Sequence, residues 1–320
     1  MTDSFSVGWD PRAILDDATA MGAMRCLGEG IRAHGFLNVN ATVEGPVGLI
    51  DLAAGKPVEG DVAAQWLGGP DAVDALVATG GAERTHEGMV TLRFEVLSGA
   101  GGVAVLPRPG LLADEVYSSS DSWVLLEMAW RFGLGGDRAV DLGTGTGLVA
   151  TFLTSRYQRV QATDILPVAV DTAALSRELL DDDRRERLAL SVNDVAAGLT
   201  TGTFDLVVAN TPWVPSPMAG RQTYADGGPT GFELPLRFLI EGAKLLSERG
   251  RLVLLCADLR YTDGRAPLWE ALDRLARHGF TYEVETTPRT KTMSFEAQDA
   301  PNYMDDLEAA AHVAVMVYRP

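Results

Sequence analysis

The sequence predicts an α/β chain built on a largely parallel sheet, preceded by a smaller module of helices and a β-hairpin. Three observations carry this. From Leu111 onward, short apolar or β-branched runs alternate with helical segments, as strands covered on both faces require. Before that point helical periodicity comes first and alternating strands follow. A glycine-dense stretch, "VDLGTGTG" (Val140 to Gly147), stands where an apolar run becomes a helix.

With 320 residues, 46% of them hydrophobic, the chain can bury one large core or one and a half ordinary domains. Two parts are expected, residues 1–110 and 111–320, joined at "LPRPG" (Leu106 to Gly110). The formal net charge of -17 argues against attraction to a phosphate polymer, so no nucleic-acid partner is expected. Cys26 and Cys256 lie far apart without ligand spacing, which suggests buried small hydrophobes in a reducing cytoplasm. The four histidines also lack ligand spacing, so no metal is expected. The start, "MTDSFSVGWD", has no basic, apolar signal pattern, and no uncharged run of about 18 residues occurs. A cytoplasmic protein without membrane contact is the expectation.

In the first part, apolar positions from Pro11 to Ala33 fit a helix with Asp10 as N-cap and Gly35 as its stop. Two more helices, "DVAAQWL" and "DAVDALVAT", are separated by "GGP". Then "MVTLRFEVL" alternates as one strand, "SGAGG" turns, and "VAVLP" returns. Helices followed by a hairpin suggest a winged-helix-like α+β domain. Its acids, among them Asp61, Asp71, Asp74 and Glu83, suit dimerisation (a homodimer) or substrate covering better than DNA reading.

The second part reads "RAVDL", a helix from about Thr146, "VQATD", a helix from Pro167, "LALSV", "FDLVVA", a helix from about Leu234 and "RLVLLCA". Two late strands, "FTYEVETT" and "HVAVMVYR", flank an irregular 288–306, and "DDDRRER" reads as a solvated helix end.

Gly143, Gly145 and Gly147 let the backbone turn tightly and approach a ligand closely. The spacing is G-x-G-x-G with Leu148 where a dinucleotide fingerprint needs glycine, and Asp141 would repel a pyrophosphate while suiting an ammonium. Asp164 follows the glycines by ~20 residues at the next strand end, and Asn193-Asp194 end the one after. Any one acid alone is as readily an exposed strand end or a helix cap.

Together these residues resemble the class I S-adenosylmethionine-dependent methyltransferases from about Leu111 to the end. That resemblance implies a seven-stranded Rossmann-like sheet and S-adenosylmethionine as cofactor. It places Asp164 on the ribose hydroxyls, Asp194 beside the adenine amine, and Asp141 with the three glycines along the cofactor.

"NTPW" (Asn210 to Trp213) closes the strand "FDLVVA" and matches the Asn-Pro-Pro-aromatic signature of methyltransferases acting on planar nitrogens, with Thr211 in place of the first proline. A planar NH2 has a delocalised lone pair; an Asn oxygen and a backbone carbonyl accepting its two hydrogens would aim that pair at the methyl group. An aromatic face, Trp213, would cover it, so that Asn210, Thr211, Pro212 and Trp213 are the candidate catalytic residues. Threonine at 211 leaves the carbonyl but loosens the turn. "EVYSSSDSWVLLEMA" and "YADGGPTGFELPLRFLIEGAKLL" further resemble the HemK-like, glutamine-N-methyltransferase branch, which adds Asp121 as a cofactor contact or helix N-cap.

The resulting expectation is N-methylation of a small molecule. Protein glutamine N-methylation and small-molecule O-methylation stand as alternatives. A cofactor-binding protein without catalysis, or a DNA-binding regulator, is disfavoured by the intact Asn210 and the acidity.

Overall fold

A computed structural model describes residues 10–34, 46–108, 116, 118, 120–219, 223–287 and 307–320. In chain order the first elements are α1 (Pro11–Leu15), α2 (Ala18–His34), α3 (Val47–Ala53), β1 (Val58–Glu59), α4 (Gly60–Leu67), α5 (Pro70–Ala78), β2 (Ala82–Arg84), β3 (Met89–Leu92), β4 (Phe94–Gly99) and β5 (Gly102–Pro107). There follow α6 (Ser120–Phe132), β6 (Gly136–Leu142), α7 (Leu148–Leu153), β7 (Tyr157–Asp164), α8 (Pro167–Glu178), α9 (Asp182–Arg187), β8 (Leu188–Val192) and β9 (Phe204–Asn210). The last are α10 (Ser216–Ala219), α11 (Glu233–Leu245), β10 (Leu246–Tyr261), α12 (Pro267–Arg277), β11 (Thr281–Thr286) and β12 (Leu307–Tyr318).

Two compact units form: Met1–Tyr117 with Gly145–Ser155 and Leu166–Leu190, and Ser118–Thr144 with Arg156–Ile165 and Ser191–Pro320. In the first, Asp10 accepts the Arg12 N–H as the cap of α1. The helix expected from Pro11 to Ala33 is broken at Asp16-Asp17, because the Asp17 carboxylate accepts the N–H groups of Thr19 and Ala20 and starts α2 afresh. Gly35, its expected stop, lies outside the described residues. β1, β3 and β2 form an antiparallel sheet in the order β1-β3-β2.

The strand expected over Met89–Leu97 is two strands. At buried Arg93 the N–H donates to Gly81 O at 3.0 Å and the carbonyl accepts from Arg108 N at 3.2 Å, so the chain leaves one sheet and enters the β4-β5 hairpin. Pro107 pairs with Phe94, so Leu106-Pro107 belong to β5 rather than to a linker, and Gly110 lies outside the described residues. Val103 N donates to Thr151 Oγ1 at 2.9 Å and Val105 N to Ser176 Oγ at 2.8 Å. Helix hydroxyls thus close an edge whose N–H groups would otherwise be buried unpaired.

The second unit holds the sheet β11-β12-β10-β9-β6-β7-β8, with β7, β6, β9 and β10 parallel and β12 antiparallel to both β10 and β11. Having run outward from β6 through β7 and β8, the chain returns to β9 on the other side of β6. That reversal opens a crevice at the carboxyl ends of β6 and β9, where ligands of open α/β sheets sit. Val140, Leu142, Val207 and Ala209 of these strands are fully buried with Leu239, Ala243 and Leu254 in one apolar core. On α11, Gly242 lies against Leu252 and Val207, where an added Cβ would come within 3.2 Å of Leu252. α7 begins at Leu148 rather than Thr146, α3 and α12 were not foreseen, and residues 288–306 lie outside the described residues. Cys256 is buried as expected, whereas Cys26 is half-buried.

Candidate active site

Register brings the expected residues to one edge. Leu142 of β6 lies opposite Ala209 of β9 and Thr163 of β7. The residue after each, namely Gly143, Asn210 and Asp164, therefore emerges at the same end of neighbouring parallel strands. Asn193 joins them, its N–H donating to the Asp164 carbonyl at 2.9 Å.

Asp141 is 3% exposed at the end of β6 and accepts the Thr144 hydroxyl at 2.7 Å. Thr144 went unnoticed in the sequence, although hydroxyls three residues after an acid commonly fold back on it. Gly143 and Thr144 both donate their N–H to the Thr163 carbonyl, at 2.8 and 2.9 Å, which forces the turn. Gly143 has φ 70°, a left-handed conformation that favours glycine. An added Cβ there would touch the Phe238 ring only at an ordinary 3.5 Å, so the backbone angle rather than space demands the glycine. Gly145 and Gly147 fall in the first unit, where Gly147 (φ 81°) caps α7 and lies so close to α8 that a Cβ would meet Ala173 at 3.0 Å.

The next strand ends divide. Asp164 is half-buried at the end of β7. The Asn193 side chain is spent locally, donating to Ala197 O. The Asp194 carboxylate pairs with Arg237 of α11 at 3.1 Å, a half-exposed bridge. That hydrogen bond, more than any other contact, holds the Arg237 guanidinium further toward its charged form. Asp121 is buried in the first turn of α6.

At the exit of β9, no described residue hydrogen-bonds the Asn210 carboxamide. Thr211 is buried and donates both its N–H (3.1 Å) and its hydroxyl (2.8 Å) to Leu255 O of β10. Threonine therefore does not loosen the turn, as expected from the missing proline, but pins it to the neighbouring strand. Trp213 and Val214 are held by the stretch 225–231. Val214 N donates to Ala225 O, and Gly227 N returns to Val214 O, both at 2.8 Å. Gly227 approaches so closely that a Cβ would stand 2.8 Å from Trp213 Cα and 2.6 Å from Gly231 O. Asp226 locks this loop by accepting from Ser216 Oγ at 2.6 Å and Gly228 N at 2.9 Å. The Gly-Gly stretch thus serves the "NTPW" exit as its backing.

One neighbour had no sequence signal. His312 of β12, fully buried, meets Trp213 edge-on at 5.9 Å and shares a 2.6 Å bond with Thr287 Oγ1 through Nδ1. Its register opposite Ala257 puts it near a tryptophan about a hundred residues earlier.

The donor and acceptor set suits S-adenosylmethionine: a left-handed glycine that keeps Cβ out of the crevice, an acid at the end of β6 and another at the end of β7. Among the described residues no group of His, Cys, Asp and Glu could hold a metal ion.

Residues 120–261 match the family model of the methyltransferase small domain. A tRNA1(Val) (adenine(37)-N6)-methyltransferase of Porphyromonas gingivalis is 32% identical over 157 residues, 47% of this chain and 60% of that protein. A ribosomal protein uL3 glutamine methyltransferase of Neisseria gonorrhoeae is 29% identical over 127 residues, 36% of this chain and 42% of that one. The chain thus spans less than two thirds of the length of either. A solved E. cuniculi complex responsible for methylating the eRF1 translation termination factor aligns at TM-score 0.44 and 21% identity, over 65% of this chain and 99% of that chain.

These relatives overturn the expected partners. A small-molecule acceptor with nucleic acid excluded does not fit relatives named for a tRNA adenine and a ribosomal-protein glutamine. The inference from charge failed because -17 is a sum over the whole chain, whereas beyond roughly 10 Å salt screens that sum and local cations decide contact. The expectation about membranes reduces to the statement that no helix among the described residues is long and apolar enough to cross one. The region from Ser120 to Tyr261 is thus similar to the methyltransferase small domain.

Proposed function

We propose that this chain transfers the methyl group of S-adenosylmethionine to a planar nitrogen on a macromolecule, in the first place the exocyclic amine of an RNA adenine. The observation that carries the reading is the Asn210 carboxamide, without a partner among the described residues, beside a Thr211 whose own N–H and hydroxyl are fixed on Leu255 O. This leaves the Asn210 oxygen and the Thr211 carbonyl to accept the two hydrogens of one NH2. With both hydrogens held in plane, the nitrogen lone pair points at the methyl carbon. S-adenosylmethionine, when bound, would supply a methyl group on a sulfonium sulfur, and the Asn210 oxygen and Thr211 carbonyl would hold the attacking nitrogen in line with it until its surplus proton passes to water. The two acceptors gain strength as the nitrogen becomes positive, which is where stabilisation accelerates transfer.

Asp164 would accept the ribose hydroxyls, Asp194 would stand beside the adenine amine while shared with Arg237, and Asp141, Gly143 and Asp121 would border the methionine end. Pro212 and Trp213 would wall the acceptor pocket. The glutamine side-chain amide is a second reading, because it is also a planar NH2 and the Neisseria relative is named for it. Within residues 1–110, the order α3, β1, α4, α5, β2, β3 with the sheet β1-β3-β2 supports a winged-helix-like domain.

The test incubates the chain and methyl-labelled S-adenosylmethionine with unmodified tRNA and, separately, with ribosomal proteins, followed by hydrolysis and mass spectrometry. N6-methyladenosine supports the first reading and N-methylglutamine the second. Label on oxygen or carbon would remove the planar-nitrogen reading altogether.

A further inference from the structure

In the first unit, a cavity of about 270 Å³ lies between the C-terminal part of α2, the β4-β5 turn and the segment from Leu179 to Arg184. Two arginines line it. Arg184 is half-buried, and its guanidinium donates only to neutral oxygens: Thr154 Oγ1 at 2.9 Å, and Gly101 O and Thr151 O at 2.6 Å each. Arg32 donates Nη1 to Leu179 O. Neither makes an ion pair among the described residues.

The neighbouring arginines differ. Arg25 pairs with Glu178 at 2.8 Å, Arg187 with Asp183 at 2.5 Å, and Arg185 with Asp182. Asp181 gives a carboxylate oxygen to the Arg184 backbone N–H at 3.0 Å rather than to its guanidinium. In a chain of net charge -17, two guanidiniums that find no carboxylate among the described residues share one cavity. Burial, with Arg32 and Arg187 nearby, holds the Arg184 pKa below the usual arginine value, the direction in which an added anion would be welcomed.

We infer that this cavity is a binding site for a phosphate group. Arg184 Nη1 and Arg32 Nε and Nη2 have no bond among the described residues, and guanidinium forks match phosphate oxygens. The site exceeds one phosphate in volume and has apolar walls at Ile31, Leu179 and Leu180, so the phosphate would be an ester whose organic part rests there. The β4-β5 turn is built for close approach: Ala100 and Gly101 both take positive φ, 50° and 91°, and Arg184 clamps the Gly101 carbonyl. The phosphate could come from an RNA backbone or from a free phosphate ester. The site is independent of the methyl acceptor proposed above.

The experiment uses the full chain and three probes at matched ionic strength: sodium pyrophosphate, a short single-stranded RNA, and sodium chloride as control. Calorimetric titration and thermal unfolding should show pyrophosphate binding and stabilisation that chloride does not reproduce. Arg32→Ala, at an exposed position where folding is not at stake, should weaken pyrophosphate at least tenfold, about the loss of one charge-assisted contact. Arg184→Gln should weaken it further, and Arg265→Ala, in an ion pair elsewhere, should not. If RNA also binds, is weakened by Arg32→Ala and is displaced by pyrophosphate, the phosphate is a backbone one; if only pyrophosphate responds, the site takes the phosphate of a free small molecule rather than of RNA. Pyrophosphate binding absent at about 10 mM, or equal in wild type and Arg32→Ala, would overturn the site.

Discussion

Thr211 gives both of its donors to a single acceptor, the carbonyl of Leu255, at 3.1 Å from its nitrogen and 2.8 Å from its hydroxyl. Proline, which the resembled signature carries at this position, could make neither bond. Thr211→Pro should therefore cost about 2–4 kcal/mol, the loss of two buried hydrogen bonds with the carbonyl left wanting. Thr211→Val should cost about 1 kcal/mol and Thr211→Ser less than that. Urea unfolding measures all three; a Thr211→Pro chain as stable as wild type would show that the pinning is incidental.

Asn210 and Asp164 stand at the ends of strands on either side of β6 and should separate turnover from cofactor binding. Asn210→Ala should lower single-turnover methyl transfer about 10²–10³-fold with S-adenosylmethionine affinity near wild type. Asp164→Ala should weaken that affinity at least about tenfold, since a carboxylate accepting two hydroxyls is lost. The pattern reversed, with Asn210→Ala failing to bind cofactor, would assign the carboxamide to the cofactor rather than the acceptor.

Gly227 backs the strand exit with no room for a side chain. Gly227→Ala should cost about 1–3 kcal/mol as Trp213 or the Gly231 carbonyl is pushed aside. Because the displaced residue is the proposed pocket wall, turnover should fall more than cofactor affinity does. Thermal unfolding beside paired kinetic and binding measurements tests this, and equal losses in both would point to a general loosening instead.

Burial pushes the Cys256 thiol well above its ordinary pKa, with Asp258 adding in the same direction. A thiol raised in the folded state keeps its proton there while the unfolded chain releases it above about pH 8.5. Unfolding then becomes more favourable as pH rises, so this contribution to stability is full below that value and declines above it. Tyr157, raised chiefly by burial, adds the same trend above about pH 10. Native chain treated with a thiol reagent at pH 8 should leave Cys256 unmodified until denaturant is added. Rapid modification of both Cys26 and Cys256 in the native state would contradict this burial.

What the sequence determined by itself is local. Apolar runs such as "FDLVVA" and "RLVLLCA" must be strands buried on both faces, their alternation with helices dictates parallel pairing, and glycines at a strand-helix junction dictate a tight turn. Strand-end acids and "NTPW" follow the same logic, because parallel strands deliver their carboxyl ends to one edge whatever lies between them. Tertiary structure alone decided which distant groups meet. Thr211 finds a carbonyl 44 residues later, and β5 closes on hydroxyls 48 and 71 residues later. Arg93 splits an unbroken alternating run because Gly81 and Arg108 take its backbone bonds. Arg32 and Arg184 share a cavity that neither helix announces. Periodicity records which face of an element is apolar; it carries no information about which remote oxygen or guanidinium completes a hydrogen bond, since that depends on packing between elements far apart in the chain.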